Sequence, residues 1–190
     1  MSFRFVSKSL ILPALACFFL FACSTTTKRL DLSPLQTVNT LEVDRYLGTW
    51  YEIASFPQSF QKGCSNTTAT YNLREDGLIE VVNRCTRKGK ETEARGRARV
   101  VDTADPTKLQ VSFFGPFWGD YWVIDLGSAY EYAVVGHPGR DYLWILSRTP
   151  TMAPEIYEGI LARLEAKQYE LDRLQFTQHE QDTLSPAGGG

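Results

Sequence analysis

Short runs of alternating hydrophobic and polar residues fill the middle of the chain, between positions 48 and 148. Glycine, proline and aspartate stand between the runs, where turns are expected. Alternation of this kind predicts half-buried β-strands, and many short, evenly spaced strands are typical of an antiparallel barrel or sandwich. The eight predicted strands cover residues 49–56, 66–73, 78–84, 92–101, 108–114, 121–126, 131–135 and 142–147.

After residue 150 the hydrophobic period becomes helical. Pro154 suits the first position of a helix, and Ile156, Ile160, Leu161 and Leu164 form one apolar stripe. We expect this helix to pack on the outside of the barrel. A last short strand is predicted over residues 173–177.

The fourth predicted strand alternates between very small and charged residues. Ala94, Gly96 and Ala98 alternate with three arginines, which must face water. Small inward residues leave volume inside a closed sheet, and an eight-stranded barrel can hold one small ligand. A well-packed sandwich would need larger residues here, so the pattern favours a barrel with a ligand cavity.

Composition and charge narrow the class of protein. The 190 residues carry 20 basic and 22 acidic side chains, a net charge of −2, and 43% of them are hydrophobic. These values indicate a globular domain with a core, and they exclude a strongly basic nucleic-acid binder and a highly charged disordered chain. We therefore expect no nucleic-acid partner.

The N-terminus is organised as a signal peptide. Arg4 and Lys8 precede an apolar run over residues 10–22. The run is too short for a transmembrane helix, which needs about 20 residues, but it has the length of a signal sequence. The polar stretch that follows, to about residue 40, is predicted to be a tether, and residues 181–190 a flexible tail.

The apolar run ends in Leu20-Phe21-Ala22-Cys23-Ser24, which resembles a bacterial lipobox. The resemblance implies that Cys23 becomes the mature N-terminus and carries the lipid anchor. Because Asp does not follow the cysteine, it also implies the outer membrane. The alternative is an ordinary signal peptide with a cysteine nearby.

Two cysteines remain in the predicted barrel. Cys64 and Cys85 flank a hairpin whose turn contains Asp76-Gly77, and they lie within one or two residues of facing each other. A bulge absorbs such an offset, and a secreted domain permits a disulfide. Two free thiols are the alternative. The cysteines and two distant histidines lack the spacing of a metal site, so we expect no metal.

Three motifs in order resemble the lipocalin family. They are Gly48-Thr49-Trp50, the segment 111–117 (VSFFGPF) and the segment 141–150 (DYLWILSRTP). With the lipobox, they are similar to the bacterial outer-membrane lipoprotein lipocalins, which are close relatives of apolipoprotein D. The resemblance implies an eight-stranded antiparallel up-and-down β-barrel with one C-terminal α-helix outside, over residues 44–180. Residues 1–22 would be the signal peptide, and residues 23–43 the lipidated N-terminus and tether.

Strand parity assigns the inside of this barrel. Gly48, Trp50 and Arg148 are expected at the closed end, where the guanidinium stacks on the indole. The ligand-binding residues predicted in this way are Ala94, Gly96, Ala98, Leu109, Val111, Phe113, Tyr142, Trp144 and Leu146. For strand six the inward residues are those that the lipocalin resemblance implies, Tyr121 and Val123. Four loops should meet at the open end, and the predicted rim residues there are Lys62, Arg87, Lys88, Lys90, Phe117, Trp118 and Arg140.

Together these features predict a lipid-binding lipoprotein with no cofactor and no catalytic residues. The expected ligand is a fatty acid or lysophospholipid, held for storage or transport in membrane maintenance. The barrel is expected in the periplasm, attached to the outer membrane through its lipid. Two alternatives stay open: an isomerase-type enzyme using a thiol in the barrel, and a structural or adhesive lipoprotein without a ligand. The exposed loop aromatics could also support a homodimer.

Overall fold

The computed structural model describes residues 32–180, and these form a closed antiparallel barrel. Each strand pairs with the next along the chain, and the first pairs with both the second and the eighth. This is the predicted lipocalin-type architecture. The strands are β1 (Gly48–Ser55), β2 (Cys64–Leu73), β3 (Ile79–Arg87), β4 (Lys90–Val100), β5 (Lys108–Ser112), β6 (Gly119–Leu126), β7 (Tyr132–Gly136) and β8 (Leu143–Ser147).

Two helices and a short strand complete the described chain. Helix α1 (Val43–Tyr46) precedes β1, and α2 (Pro154–Ala166) follows β8. Strand β9 (Gln175–Phe176) pairs with the end of β1. It is shorter than predicted: Arg173 belongs to a 3₁₀ turn over Leu171–Arg173, and only two residues are in the strand. Within residues 32–180, neither helix has the length and hydropathy needed to span a membrane.

Alternation along the strands separates two hydrophobic clusters. The inner cluster fills one half of the barrel around Trp50 and includes Leu109 and Val123. The outer cluster lies under α2, where Ile160 and Leu164 pack with Leu143, Ile145 and other outward residues of the sheet. The prediction that α2 covers the outside of the barrel is confirmed. Ile156, in the first turn of α2, is 37% exposed, so the buried stripe is narrower than the sequence suggested.

The described chain begins beside the open end and packs first against the outer cluster, at Leu35, and then against the inner cluster, at Leu41. Arg140, in the β7–β8 loop, donates to the carbonyl oxygen of Ser33 at 2.7 Å. Farther on, the Val38 N–H donates to the carbonyl oxygen of Val123, and Leu35 and Leu41 are buried. Residues 32–43, predicted as tether, are therefore part of the packed domain, because their leucines cover apolar surface. The predicted signal peptide, Cys23 and the tail 181–190 lie outside the described residues.

Candidate functional site

The closed end of the barrel is built around Trp50. Its side chain is fully buried, and its indole N–H donates to the carbonyl oxygen of Tyr46 at 2.8 Å. The Arg148 guanidinium carbon lies 3.7 Å from the ring centroid, a cation–π distance. Arg148 also donates to the carbonyl oxygens of Thr49 (2.9 Å) and Arg45 (2.7 Å). The cation is thus held by main-chain acceptors and closes the floor.

Gly48 allows this arrangement through its backbone. Its φ of +89° lies in the region that favours glycine, and an added Cβ would come within 3.5 Å of an Arg148 nitrogen. The three residues predicted for the closed end therefore meet there.

Above this floor the barrel encloses a cavity of about 420 Å³. That volume lies within the usual range for small-molecule sites. The apolar and aromatic wall was predicted from strand parity on the β5 and β8 side, and from the lipocalin resemblance on the β6 side. Six predicted ligand-binding residues line the cavity, namely Val111, Phe113, Tyr121, Tyr142, Trp144 and Leu146.

The structure places the other five predicted ligand-binding residues away from the cavity. Ala98, Leu109 and Val123 are buried in the cluster around Trp50. Gly96 lies under the Phe113 ring, whose atoms would be 2.9–3.0 Å from an added Cβ. The volume that the small residues leave is therefore filled by a neighbouring side chain. Ala94 is exposed, since β5 pairs with β4 only from Arg97 onward.

The opposite wall was missed in the sequence. Thr67, Ala69 and Tyr71 of β2 line the cavity, as do Val81 and Asn83 of β3. Alternation on β2 would have identified Ala69 and Tyr71, but the threonines around them weaken the pattern. The Asn83 Oδ1 atom is buried without a hydrogen-bond partner in the described chain, so the wall includes an unused polar atom.

Glu52 is a buried carboxylate in the cavity wall, and sequence analysis did not identify it. It is 5% exposed, and it accepts hydrogen bonds from Ser55 Oγ (3.0 Å), Thr177 Oγ1 (2.6 Å) and Gln61 Nε2 (2.7 Å). Gln61 in turn accepts from the Trp144 indole N–H at 3.2 Å. Glu52 therefore ties the β1–β2 loop and Thr177, which follows β9, to the barrel.

Three tyrosine hydroxyls meet at the base of the cavity. Tyr121 Oη lies 2.8 Å from Tyr46 Oη and 2.8 Å from Tyr71 Oη. Burial raises the pKa of Tyr71 to about 12, and it also raises the pKa values of Tyr46 and Tyr121 well above the ordinary 10. All three phenols are thus neutral at physiological pH. The Tyr46 ring packs against Trp50 with centroids 5.0 Å apart, which places the trio directly on the floor.

The predicted disulfide is present at the open end. Cys64 and Cys85 are bonded, with their Cα atoms 5.5 Å apart. The register between β2 and β3 shifts between Ser65 and Thr68, which is the bulge that the sequence required. Both cysteines in the described chain are thus in one disulfide, so neither is a free thiol for catalysis.

Two predicted rim residues have structural roles. Arg140 is only 7% exposed, and besides Ser33 it donates to the carbonyl oxygens of Pro138 and Lys167. Trp118 lies outside the barrel, with Arg99 and Arg97 at 4.1 and 5.2 Å from its ring. Neither could be predicted locally, because their contacts come from distant segments.

The remaining rim residues surround the mouth. Arg87 is partly engaged, since it donates to the carbonyl oxygen of Phe60 at 2.6 Å. Lys62, Lys88 and Lys90 are exposed, and Phe117 is 76% exposed. The mouth thus combines exposed positive charges with apolar surface.

Both histidines of the described chain contact the main chain. The His137 Nδ1 accepts from the Gly139 N–H at 3.1 Å within a turn, although the residue borders the cavity. His179 contacts the carbonyl oxygen of Glu52 at 2.8 Å. Residues 32–180 also hold no group of three or more His, Cys, Asp or Glu side chains placed for a metal. What the arrangement offers is an enclosed apolar volume.

Comparison with known proteins gives a consistent result. The model of the lipocalin-like domain matches residues 41–179. The outer membrane lipoprotein Blc of Citrobacter freundii is 43% identical over 170 residues, covering 86% of this chain and 94% of that protein. Bovine apolipoprotein D is 35% identical over 182 residues, covering 88% and 93%. Insecticyanin from the tobacco hornworm Manduca sexta superposes with a TM-score of 0.65 at 19% identity, covering 80% and 87%; it supports the fold alone.

Proposed function

Because this chain belongs to the lipocalin family, we propose that it binds single-chain lipids in its barrel while anchored to the bacterial outer membrane. The ligands would be fatty acids or lysophospholipids, held for storage or transport in membrane maintenance. The observation that carries this proposal is the cavity of about 420 Å³, floored by Trp50 and lined mostly by apolar and aromatic side chains. No cofactor is needed, because burial of the lipid chain provides the affinity.

The energy available from such burial is adequate. Each CH₂ group removed from water contributes about 0.8 kcal/mol. A chain of about 14 carbons would thus gain roughly 10 kcal/mol before the costs of binding are subtracted. The cavity admits the chain from the open end, since the floor is closed by the Trp50–Arg148 contact.

The charges at the mouth favour an anionic head group. Lys62, Lys88 and Lys90 are exposed there. An anionic head above the apolar cavity would meet these lysines while its chain fills the barrel. Such contacts lie in water, so their contribution is modest and decreases with salt.

Replacement of Cys23 by Ser tests the anchor. The variant should keep its signal sequence uncut by the lipoprotein peptidase and should incorporate no acyl label. Wild-type protein labelled in parallel is the control. A variant that still fractionates with acyl-labelled lipoproteins would refute the anchor.

Ligand binding is tested on protein extracted from membranes. Native mass spectrometry should find a co-purified lipid, and after delipidation the protein should rebind lysophosphatidic acid with a change in tryptophan fluorescence. Trp144 is the expected reporter, because it lines the cavity. A protein that carries no lipid, and that responds to neither fatty acid nor lysophospholipid, would contradict the proposed function.

A further inference from the structure

The tyrosine trio at the base of the cavity has more hydrogen-bond donors than it uses. Three phenols, Tyr46, Tyr71 and Tyr121, carry three hydroxyl protons. Their oxygens make two contacts, both through Tyr121. Each contact uses one proton, whichever oxygen donates. One O–H group is therefore left without an acceptor in every arrangement, because these hydroxyls make no other hydrogen bond within residues 32–180.

This remaining donor lies in apolar surroundings. Tyr71 is 6% exposed, and Trp50 and Val81 belong to the same buried cluster. A buried hydroxyl without a partner costs about 1–3 kcal/mol, so an acceptor that reaches it is favoured. Tyr71 and Tyr121 line the cavity, which makes the donor accessible to a bound molecule.

The positive charge of Arg148, below the floor, also favours an acceptor at the base of the cavity. Arg148 lies on Trp50, and its hydrogen bonds go to main-chain carbonyl oxygens. Its positive charge is close enough to lower the pKa values of Tyr46 and Tyr71 slightly against the larger effect of burial. The base of the cavity therefore favours an electron-rich atom.

We infer that the trio forms a polar subsite at the base of the cavity, which binds an oxygen acceptor on the buried end of a lipid chain. This inference rests on the proposed function and specifies its ligand class. Two kinds of ligand group could supply this oxygen. It could be the carboxyl group of a fatty acid that enters head first, or a hydroxyl or oxo group at the far end of a chain whose head stays at the mouth.

A triple variant, Tyr46→Phe with Tyr71→Phe and Tyr121→Phe, tests the subsite in the mature protein after delipidation. It removes all three hydroxyls but keeps the rings, so no donor is left unpaired and the fold should persist. Three probes are titrated: dodecanoic acid, 12-hydroxydodecanoic acid and lauroyl-lysophosphatidylcholine. Loss of one hydrogen bond should weaken the binding of a probe whose buried end carries an oxygen by about three- to tenfold.

The probes distinguish the two sources. If the carboxyl enters first, dodecanoic acid loses affinity in the triple variant. If the oxygen is at the tail, only 12-hydroxydodecanoic acid loses affinity. In both cases lauroyl-lysophosphatidylcholine binds as before, because its buried end carries no oxygen.

Tyr157→Phe is the matched control, since Tyr157 lies on α2 against the outer cluster and does not line the cavity. It should leave all three affinities unchanged. The double variant Tyr71→Phe with Tyr121→Phe repeats the test if the triple variant does not fold. If every probe binds the folded variants within twofold of wild type, the subsite is refuted while the proposed function stands. If no probe binds the wild-type protein, both are refuted.

Discussion

The two ends of the barrel are stabilised in different ways. At the closed end, Trp50 is fully buried, and the Arg148 side chain donates to four main-chain oxygens around it. At the open end, the interior is a cavity rather than packed side chains. There the Cys64–Cys85 disulfide joins β2 to β3, and Arg87 holds the β1–β2 loop.

The difference separates stability from binding. Packing provides the stability of the closed end, where side chains exclude water from the core. A cavity forgoes that packing, so the open end depends on a covalent link and on hydrogen bonds between loops. Substitutions at the closed end should thus reduce stability, and substitutions in the cavity should mainly change binding.

The largest expected effect is at the closed end. Trp50→Ala should reduce the free energy of unfolding by about 3–5 kcal/mol, because it leaves a large void in the core. Arg148→Ala should cost less, and Trp144→Ala, in the cavity wall, less again. Chemical denaturation measures all three. Equal losses for Trp50→Ala and Trp144→Ala would contradict the contrast between the ends.

Removal of the disulfide tests the open end. The cysteines are 21 residues apart, and a loop of that length contributes about 3 kcal/mol. The pair Cys64→Ala and Cys85→Ala should reduce stability by about that amount when compared with oxidised wild type in chemical melts. An unchanged midpoint would show that hydrogen bonds alone hold the mouth.

Alkaline pH tests the buried tyrosines. The pKa of Tyr71 is about 12 in the folded protein and about 10 in the unfolded chain. The unfolded chain therefore loses its proton first, so stability is complete below pH 10 and falls as pH rises towards 12. Tyr71 alone should account for a loss of roughly 3 kcal/mol in the free energy of unfolding. The triple tyrosine-to-phenylalanine variant should lose less stability than wild type between pH 10 and 12. If stability falls with pH equally steeply in both proteins, this explanation is wrong.

A smaller effect is expected at the mouth. The double substitution Lys62→Glu with Lys88→Glu should weaken the binding of lysophosphatidic acid a few-fold at low salt. The effect should be smaller at high salt, because exposed charges are screened. A neutral monoacylglycerol is the control ligand and should respond little. If the affinities for both lipids fall equally, the lysines do not act through the charge of the head group.

The sequence predicted the strands and the disulfide well, because the patterns that indicate them are local. Strand alternation and turns located all eight strands, and parity placed Trp144 inside the barrel, where it lines the cavity. The disulfide followed from the hairpin register and the compartment. These features depend on neighbours in sequence or on one strand pair.

The predictions that failed involve contacts between distant segments. Gly96 was expected to leave space, but Phe113, which directly follows β5, fills it. Arg140 was expected to meet a ligand, but Ser33, which precedes it by more than 100 residues, accepts its hydrogen bond. Glu52 was missed because one of its partners is Thr177. Local patterns show which way a side chain points, whereas its partners depend on the folded chain.

The central claim is that the cavity is the binding site, and Ala69→Phe tests it most directly. Ala69 lines the cavity on β2, whereas its neighbour Thr70 bonds Thr49 on the exposed outer face. A phenyl ring at position 69 would occupy the volume of the ligand, and Thr70→Phe adds the same ring outside. Fluorescence titration of the delipidated proteins with lysophosphatidic acid should show at least tenfold weaker binding for Ala69→Phe and unchanged binding for Thr70→Phe. If folded Ala69→Phe protein binds the lipid as wild type does, the ligand is not held in the barrel.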